Sequence, residues 1–257
     1  PEYLAGLALF LLGVAASVIG SMVGLGGGFL LVPVLRIAFG FSPSLAAGSS
    51  LVLVMANASG ATASYYRQGR IDLRVGIIIG LGGVPGSIAG AIAVRNFTSN
   101  VFDYLYGAVL LLIAVDIMRR RIVDQRSVDH AASIRPTMRI DLLLLAGFVV
   151  GFISSFFGIG GGVIIVPLLL LFSNLAPAVI VATSSFIIFL TAPAGVVTHG
   201  FHRDVHLSQA LPLAMGGLVG GQIGAALARR FSSETLLGLL AATLAAAALA
   251  IVLRHLW

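Results

Sequence analysis

The stretch Ser21-Met-Val-Gly-Leu-Gly-Gly-Gly-Phe-Leu-Leu-Val-Pro-Val-Leu35 decides the fold of this chain, because it occurs again as Ser155-Phe-Phe-Gly-Ile-Gly-Gly-Gly-Val-Ile-Ile-Val-Pro-Leu-Leu169. Eight of the fifteen positions are identical, and the other seven exchange one apolar residue for another. The two copies lie 134 positions apart, and the same offset pairs Pro43 with Pro177. Chance similarity between apolar segments does not place a glycine triplet and two prolines at one constant spacing. The sequence therefore predicts an internal duplication.

The residues around both copies are strongly apolar. The 257-residue chain is 59% hydrophobic and 9% charged, whereas a soluble domain carries about 25% charged residues. A spanning helix needs roughly 20 apolar residues, and no strand-like alternation is present. The sequence thus predicts an all-α polytopic membrane protein with ten apolar segments, at residues 4–20, 22–35, 44–64, 73–94, 101–118, 141–157, 159–172, 177–198, 207–228 and 235–253.

Composition excludes several kinds of function. The chain contains no cysteine, so disulfides, thiolate metal sites and thiol redox chemistry are excluded. Its net charge of +6 comes from arginines at the ends of apolar runs and in short loops, which is the positive-inside pattern of membrane proteins. We therefore expect a lipid bilayer around the chain and no nucleic-acid partner.

A polar stretch joins the two copies. We predict a first transmembrane repeat over residues 1–118, a linker over 119–140 and a second repeat over 141–257. Six arginines in the linker predict that it is cytoplasmic, in a bacterial inner membrane. The short Gly-rich segments either cross the membrane, giving ten segments and inverted halves, or dip into it, giving eight spans and parallel halves. Arginines on the linker's side number eleven against four under both arrangements, so charge leaves the choice open.

The duplicated glycines predict a pair of broken helices. Three successive glycines bend or break a helix, and a proline removes a further N–H donor. Interrupted segments at corresponding positions of two halves mark the binding site of many transporters. A helix that restarts after a break presents unpaired N–H groups and the positive end of its dipole, which suits an anion. The candidate residues are Gly26, Gly27, Gly28, Gly160, Gly161 and Gly162, with Pro33 and Pro167 as helix-break or hinge positions. Close helix packing is the alternative use of such glycines.

Neutral polar residues provide the remaining candidates for the site. Ionisable residues fall near the ends of the spans, so the carboxylate relay of many cation pumps is missing. Six polar residues occupy corresponding spans in pairs related by the offset of 134, namely Ser49 with Thr183, Ser50 with Ser184 and Asn57 with Thr191. Interhelical hydrogen bonding is the alternative role of these side chains.

Three histidines have the spacing of a possible metal site. His199, His202 and His206 stand three and four positions apart, but all three lie in a short polar loop. A polar interfacial loop is the better interpretation, and we expect no metal and no cofactor. An intramembrane hydrolase would need a serine nucleophile with a histidine at membrane depth, and His199 is the innermost candidate.

The duplicated Gly-x-Gly-Gly-Gly motif, followed after three positions by Val-Pro and then by a Pro-led, Ser-rich span, resembles the sulfite exporter TauE/SafE family. The resemblance covers essentially the whole chain. It implies a secondary transporter of sulfite, sulfonates or related anions, and it implies inverted halves, which favours the ten-segment arrangement. It carries over to the six motif glycines and to Pro33 and Pro167, while the Ser, Thr and Asn candidates rest on the residues alone.

These observations predict a secondary transporter of small anions rather than an enzyme. The expected mechanism is alternating access around a site between the two repeats, coupled to a proton, a Na+ ion or a substrate gradient. A non-transporting assembly or sensor subunit is the second hypothesis, and an intramembrane hydrolase is the third.

Overall fold

The computed structural model describes residues 2–124, 139–173 and 175–231, together with residues 235, 238, 241, 242 and 244–249. Its helices are α1 (Glu2–Val23), α2 (Gly28–Ile37), α3 (Pro43–Arg67), α4 (Leu73–Ala93), α5 (Ser99–Asp124), α6 (Ile140–Phe157), α7 (Gly162–Phe172), α8 (Pro177–Phe201) and α9 (Leu207–Leu227). The described positions between 235 and 249 are helical too. Six helices are long and apolar enough to cross a membrane, and α2, α7 and Ser99–Val115 are shorter apolar helices. The prediction of an all-α polytopic membrane protein is confirmed.

The duplication is present in the helix boundaries. The bounds of α3 and α4, each increased by 134, are those of α8 and α9. The short 3-10 turn that follows α4, Val94–Asn96, has its counterpart in Ala228–Arg230. Because α2 and α7 begin at Gly28 and Gly162, the breaks also correspond.

The linker boundaries stay a prediction. Helix α5 continues to Asp124, past the predicted end of the first repeat at residue 118. Residues 125–138, which form most of the predicted linker 119–140, lie outside the described residues.

The two halves are inverted with respect to each other. After α8, the backbone N–H of His206 donates to Ser49 near the start of α3. After α3, the backbone N–H of Asp72 donates to Thr183 near the start of α8. Each of these corresponding helices therefore begins where the other ends, so they run antiparallel. This resolves the choice that arginine counting left open and agrees with the ten-segment arrangement.

Glycine stripes hold the two halves together. Gly82, Gly86 and Gly90 of α4 lie so close to the backbone carbonyls of α6 that an added Cβ atom would overlap them, and Gly216, Gly220 and Gly224 of α9 meet α1 in the same way. Such stripes of small residues let helix backbones approach closely in lipid. Each half thus packs largely against the other.

These contacts also give the course of α1 and α2. Along α1, residues 10, 14 and 18 meet residues 216, 220 and 224 of α9, so the two helices are parallel. Residues 53 and 57 of α3 meet residues 217 and 221 of α9, so α3 shares that direction. Helix α2 must therefore carry the chain back between α1 and α3. Its ten residues span only about 15 Å at 1.5 Å per residue, half of a hydrocarbon core of roughly 30 Å.

Candidate functional site

The two glycine breaks meet between the halves. A Cβ atom on Gly28 would overlap the carbonyl oxygen of Gly158, and one on Gly162 would overlap that of Gly24. Gly28 also lies against Val54, near the middle of α3. The N-terminal ends of α2 and α7 therefore converge at mid-length of the long helices. Gly28 and Gly162 thus meet the opposite break, whereas Gly27 and Gly161 lie against α1 and α6.

The backbone of both breaks requires glycine and leaves N–H groups unpaired. The φ angles of Gly26 and Gly27 are 84° and 81°, and those of Gly160 and Gly161 are 87° and 73°, a left-handed conformation that side chains with a Cβ atom disfavour. Among the backbone hydrogen bonds of the described residues, none has the N–H of residues 26–28 or 160–162 as donor. The first N–H groups of a helix have no acceptor within the helix. Each break thus presents a cluster of free backbone donors.

The serines that follow the motif bond across the two halves. Ser50 Oγ donates to the carbonyl of Gly158 over 2.8 Å, and Ser184 Oγ donates to the carbonyl of Gly24 over 2.7 Å. The two bonds correspond under the offset of 134. Because a serine hydroxyl has one hydrogen to donate, both hydroxyls are engaged in interhelical hydrogen bonds in this conformation.

The other four polar candidates lie around the breaks rather than in them. Ser49 and Thr183 accept hydrogen bonds from loop N–H groups at opposite ends of the bundle, as described above. Asn57 Oδ1 accepts from Ser21 over 2.5 Å, and Thr191 Oγ1 donates to the Ile187 carbonyl of its own helix over 3.0 Å. Their role in binding stays a prediction.

Two serines that the sequence reasoning missed are close to the breaks. Ser17 and Ser154 are 0% and 1% exposed, and neither hydroxyl has a hydrogen-bond partner. The Cβ position of Gly27 is 3.3 Å from Ser17 Cα, and that of Gly161 is 3.5 Å from Ser154 Oγ. The duplication could not reveal them, because their counterparts are Gly151 and Gly20. Only their burial beside each break, which is seen in the structure, distinguishes them from other serines.

The prediction that the prolines interrupt their helices a second time is wrong. Helices α2 and α7 continue through Pro33 and Pro167. Pro33 has no N–H to give to the carbonyl of Phe29, four residues earlier. Tyr106 of α5 donates to that carbonyl instead, over 3.0 Å, so the helix continues with its freed carbonyl satisfied. A hinge role for the prolines stays a prediction.

The prediction that all three histidines lie in a loop is wrong for His199, which lies in the last turn of α8. The three side chains face different groups. His199 is fully buried, with Nε2 3.1 Å from the carbonyl of Ser155. His202 Nδ1 lies 2.8 Å from the carbonyl of Thr198, and the His206 ring packs on Phe41 with centroids 5.3 Å apart. His199, on which the hydrolase hypothesis depends, therefore contacts a carbonyl rather than a serine hydroxyl.

Charged side chains do enter the interior near the helix ends. Arg36 in the last turn of α2 and Asp103 near the start of α5 are 2% and 1% exposed. Nε and Nη2 of Arg36 donate to the two carboxylate oxygens of Asp103 over 2.8 and 2.7 Å. Nη1 of Arg36 donates to the carbonyl of Phe41. This paired charge joins α2 to α5 at the end of α2 that is remote from the break.

Comparison with known proteins agrees with this architecture. The sequence model of the family described as "Sulfite exporter TauE/SafE" matches residues 9–251. A probable membrane transporter protein of Bacillus subtilis, YunE, is 33% identical over 89% of this chain and 90% of its own length. A probable membrane transporter protein of Methanocaldococcus jannaschii, MJ0441, is 29% identical over 74% of this chain and 71% of its own length. No solved structure matches the chain.

Proposed function

The chain belongs to the sulfite exporter TauE/SafE family of membrane proteins, and from that premise we propose that it is a secondary transporter of small anions. The proposed cargo is sulfite or a related organosulfur or organic anion. The observation that carries the proposal is the meeting of two glycine breaks, one from each inverted half, with their N–H groups unpaired.

The electrostatics of the breaks favour a negative ligand. A helix N-terminus is equivalent to roughly half an elementary charge. At about 4 Å and an effective dielectric constant of about 20, one such end attracts a monovalent anion by about 2 kcal/mol, and two ends by about 4 kcal/mol. Dehydrating an ion costs several kcal/mol. Hydrogen bonds from the free N–H groups and from Ser17 and Ser154 therefore have to supply the rest.

The inverted arrangement supports alternating access as the mechanism. Residues 24–28 and 158–162 are all buried, and Val54 and Ile188, which correspond under the offset, lie against Gly26. We take this arrangement as an occluded state, closed towards both faces. Rocking of the two halves around the breaks would open the site to one face and then to the other.

The setting of this transport is part of the proposal. We propose that the linker of residues 119–140 is cytoplasmic and that the protein lies in a bacterial inner membrane, which the arginines of the linker support. An ion or substrate gradient, rather than ATP, would drive the movement.

Flux into liposomes tests the proposed function. Purified protein would be reconstituted, and uptake of labelled sulfite and of a panel of organic anions would be measured. We expect saturable flux of at least one anion, and loss of that flux in Gly27→Leu and in Gly161→Leu, because a side chain there would push against α1 or α6 and strain the left-handed backbone of the break. Gly6→Leu is the matched control, because a Cβ atom on this helical glycine meets nothing within 4 Å.

Two results would count against the proposal. Absence of flux for every anion, with the wild-type protein folded by circular dichroism and size-exclusion chromatography, would favour the sensor or assembly hypothesis. Unchanged flux in both break variants would place the pathway elsewhere in the molecule.

A further inference from the structure

Two buried polar atoms without partners face each other at one end of α8. His199 Nδ1 and Asp204 Oδ2 are both buried and have no hydrogen-bond partner. They lie 3.8 Å apart, and the His199 side chain is 0% exposed. An unpartnered buried polar atom is costly, so the arrangement of two such atoms calls for an explanation.

In the neutral tautomer of His199, Nδ1 and Asp204 Oδ2 are both hydrogen-bond acceptors. Nε2 faces the carbonyl oxygen of Ser155 over 3.1 Å, and a carbonyl can only accept. Nε2 must therefore carry the hydrogen of the neutral ring, which leaves a lone pair on Nδ1. That lone pair faces a carboxylate oxygen. A single proton taken from water onto Nδ1 would convert the contact into an N–H donor facing a carboxylate acceptor.

Neighbouring side chains hold His199 and Asp204 in place, but none of them supplies a proton to Nδ1 of His199. Ser44 of α3 donates to Asp204 Oδ1 over 3.0 Å, and Arg95, after α4, has Nε 3.7 Å from Oδ2. His202 and Arg203 follow in the chain, and His202 Nδ1 lies 2.8 Å from the carbonyl of Thr198. α3 lies against His199 at Gly48, and α6 presents the Ser155 carbonyl; both groups are neutral. His206 packs on Phe41.

Only one of the two halves contains this pair. The positions that correspond to His199 and Asp204 are Tyr65 and Arg70. Tyr65 makes the equivalent bond, because its hydroxyl donates to the carbonyl of Ser21 over 2.8 Å, and Ser21 corresponds to Ser155. The duplicated framework thus carries a pair that can take up a proton at one end of the bundle and a tyrosine at the other.

The position of the pair connects it to both a membrane face and a break. Helices α3, α4 and α5 alternate in direction, so the start of α3, with Ser44, lies at the face opposite the linker. His199 also contacts α6 at Ser155, three residues before Gly158 of the second break. Its charge can therefore influence both the closure of that face and the break.

We propose that His199 and Asp204 form the proton-binding site that couples anion movement to a proton gradient. This inference rests on the proposed function, since it names the ion that drives the same transport. With the proton bound, the imidazolium pairs with Asp204 and holds the end of α8 to the start of α3. With the proton released, this ion pair is lost, and the segment after α8 is held to the start of α3 only by the Ser44–Asp204 and His206–Ser49 hydrogen bonds.

Proton binding is tested on its own by nuclear magnetic resonance of protein with 15N-labelled histidine in detergent. His199→Tyr identifies the His199 signals, and it should fold because Tyr65 occupies the corresponding position. We expect Nδ1 of His199 to become protonated as the pH falls, and Asp204→Asn to move the midpoint to lower pH, because the carboxylate that stabilises the imidazolium is removed. An Nδ1 that stays unprotonated wherever the protein is folded would overturn the proposal.

Coupling is tested in the liposome flux assay with an imposed pH gradient. One proton per anion sustains about tenfold accumulation at a gradient of one pH unit. His199→Tyr and Asp204→Asn should still exchange labelled anion between the two sides but should lose this accumulation, while His202→Gln should keep it.

The outcomes separate the two proposals. Accumulation by His199→Tyr equal to that of wild type, or accumulation that follows a Na+ gradient and ignores pH, would overturn the coupling role. Absence of any anion flux in the wild type would instead overturn the proposed function and the coupling with it, whereas the resonance titration decides the proton site by itself.

Discussion

At the residue scale, the serines near the breaks form two groups, according to whether their hydroxyls have a hydrogen-bond partner. The hydroxyls of Ser50 and Ser184 donate hydrogen bonds to carbonyls of the opposite half. Those of Ser17 and Ser154 are buried and have no hydrogen-bond partner. A hydroxyl that has no partner in the protein is a candidate donor for a ligand. The two kinds should therefore respond differently to substitution.

Replacing Ser17 or Ser154 by alanine should weaken anion binding without destabilising the protein. A hydrogen bond to a charged group contributes about 1.5–3 kcal/mol, which corresponds to roughly a 10- to 100-fold loss of affinity. Stability should be unchanged or higher, because an unsatisfied buried group is removed. Binding of labelled sulfite and thermal unfolding in detergent would measure the two effects.

Ser50→Ala and Ser184→Ala are the matched comparison for that prediction. They leave a Gly158 or Gly24 carbonyl without its donor, so they should lower stability by about 1–3 kcal/mol. Equal effects of all four substitutions on both quantities would contradict the distinction between the two kinds of serine.

At the element scale, the junction between α2 and α5 depends on polar residues that the sequence of the second half lacks. Arg36 and Asp103 form a buried ion pair in the first half, and the corresponding residues of the second half are Leu170 and Leu237. Likewise, Tyr106 satisfies the carbonyl freed by Pro33, while Leu240 occupies the position corresponding to Tyr106. The two halves therefore differ in polarity at these corresponding sequence positions.

Removing one partner of the buried ion pair should cost more than removing both. Leaving a buried charge unpaired costs about 3–5 kcal/mol, whereas replacing a buried pair by apolar residues is often neutral. We expect Arg36→Leu and Asp103→Leu each to be strongly destabilised, and the double variant, which copies the second half, to recover most of the loss. Thermal unfolding of the four proteins in one detergent measures this. A double variant less stable than either single one would refute the prediction.

The helices could largely be predicted from the sequence, because a constant offset and long apolar runs determine them. Their contacts could not. Arginine counts were identical for the two arrangements of the halves, and only the loop bonds to Ser49 and Thr183 distinguish them. Pro33 suggested an interruption of α2, because the sequence does not reveal that Tyr106, 73 positions away, donates to the carbonyl that the proline leaves free. Ser17 and Ser154 were missed because they do not correspond under the offset.

The whole molecule is a pair of inverted halves that bury each other's glycine stripes. Equivalent ends of the two halves therefore lie at opposite faces of the membrane. Arg67 at the end of α3 and Phe201 at the end of α8 are equivalent positions, and both are exposed. They provide a direct way to test this arrangement.

Single cysteines at residues 67 and 201 should be labelled from opposite sides of the membrane. The chain contains no cysteine, so Arg67→Cys and Phe201→Cys each introduce one thiol. With a membrane-impermeant maleimide applied to intact cells, we expect one variant to react and the other to react only after permeabilisation. Reaction of both from the same side would mean parallel halves.

The location of the anion itself is the most direct test of the central claim, that two glycine breaks from inverted halves form one anion site. Selenite has the shape and charge of sulfite and contains an anomalous scatterer, so crystals grown with it reveal its position. We predict a selenium peak between the breaks, with its oxygens about 3 Å from backbone nitrogens of residues 26–28 and 160–162. No peak there at a concentration that saturates transport, or a peak only at another position in the molecule, would contradict the account.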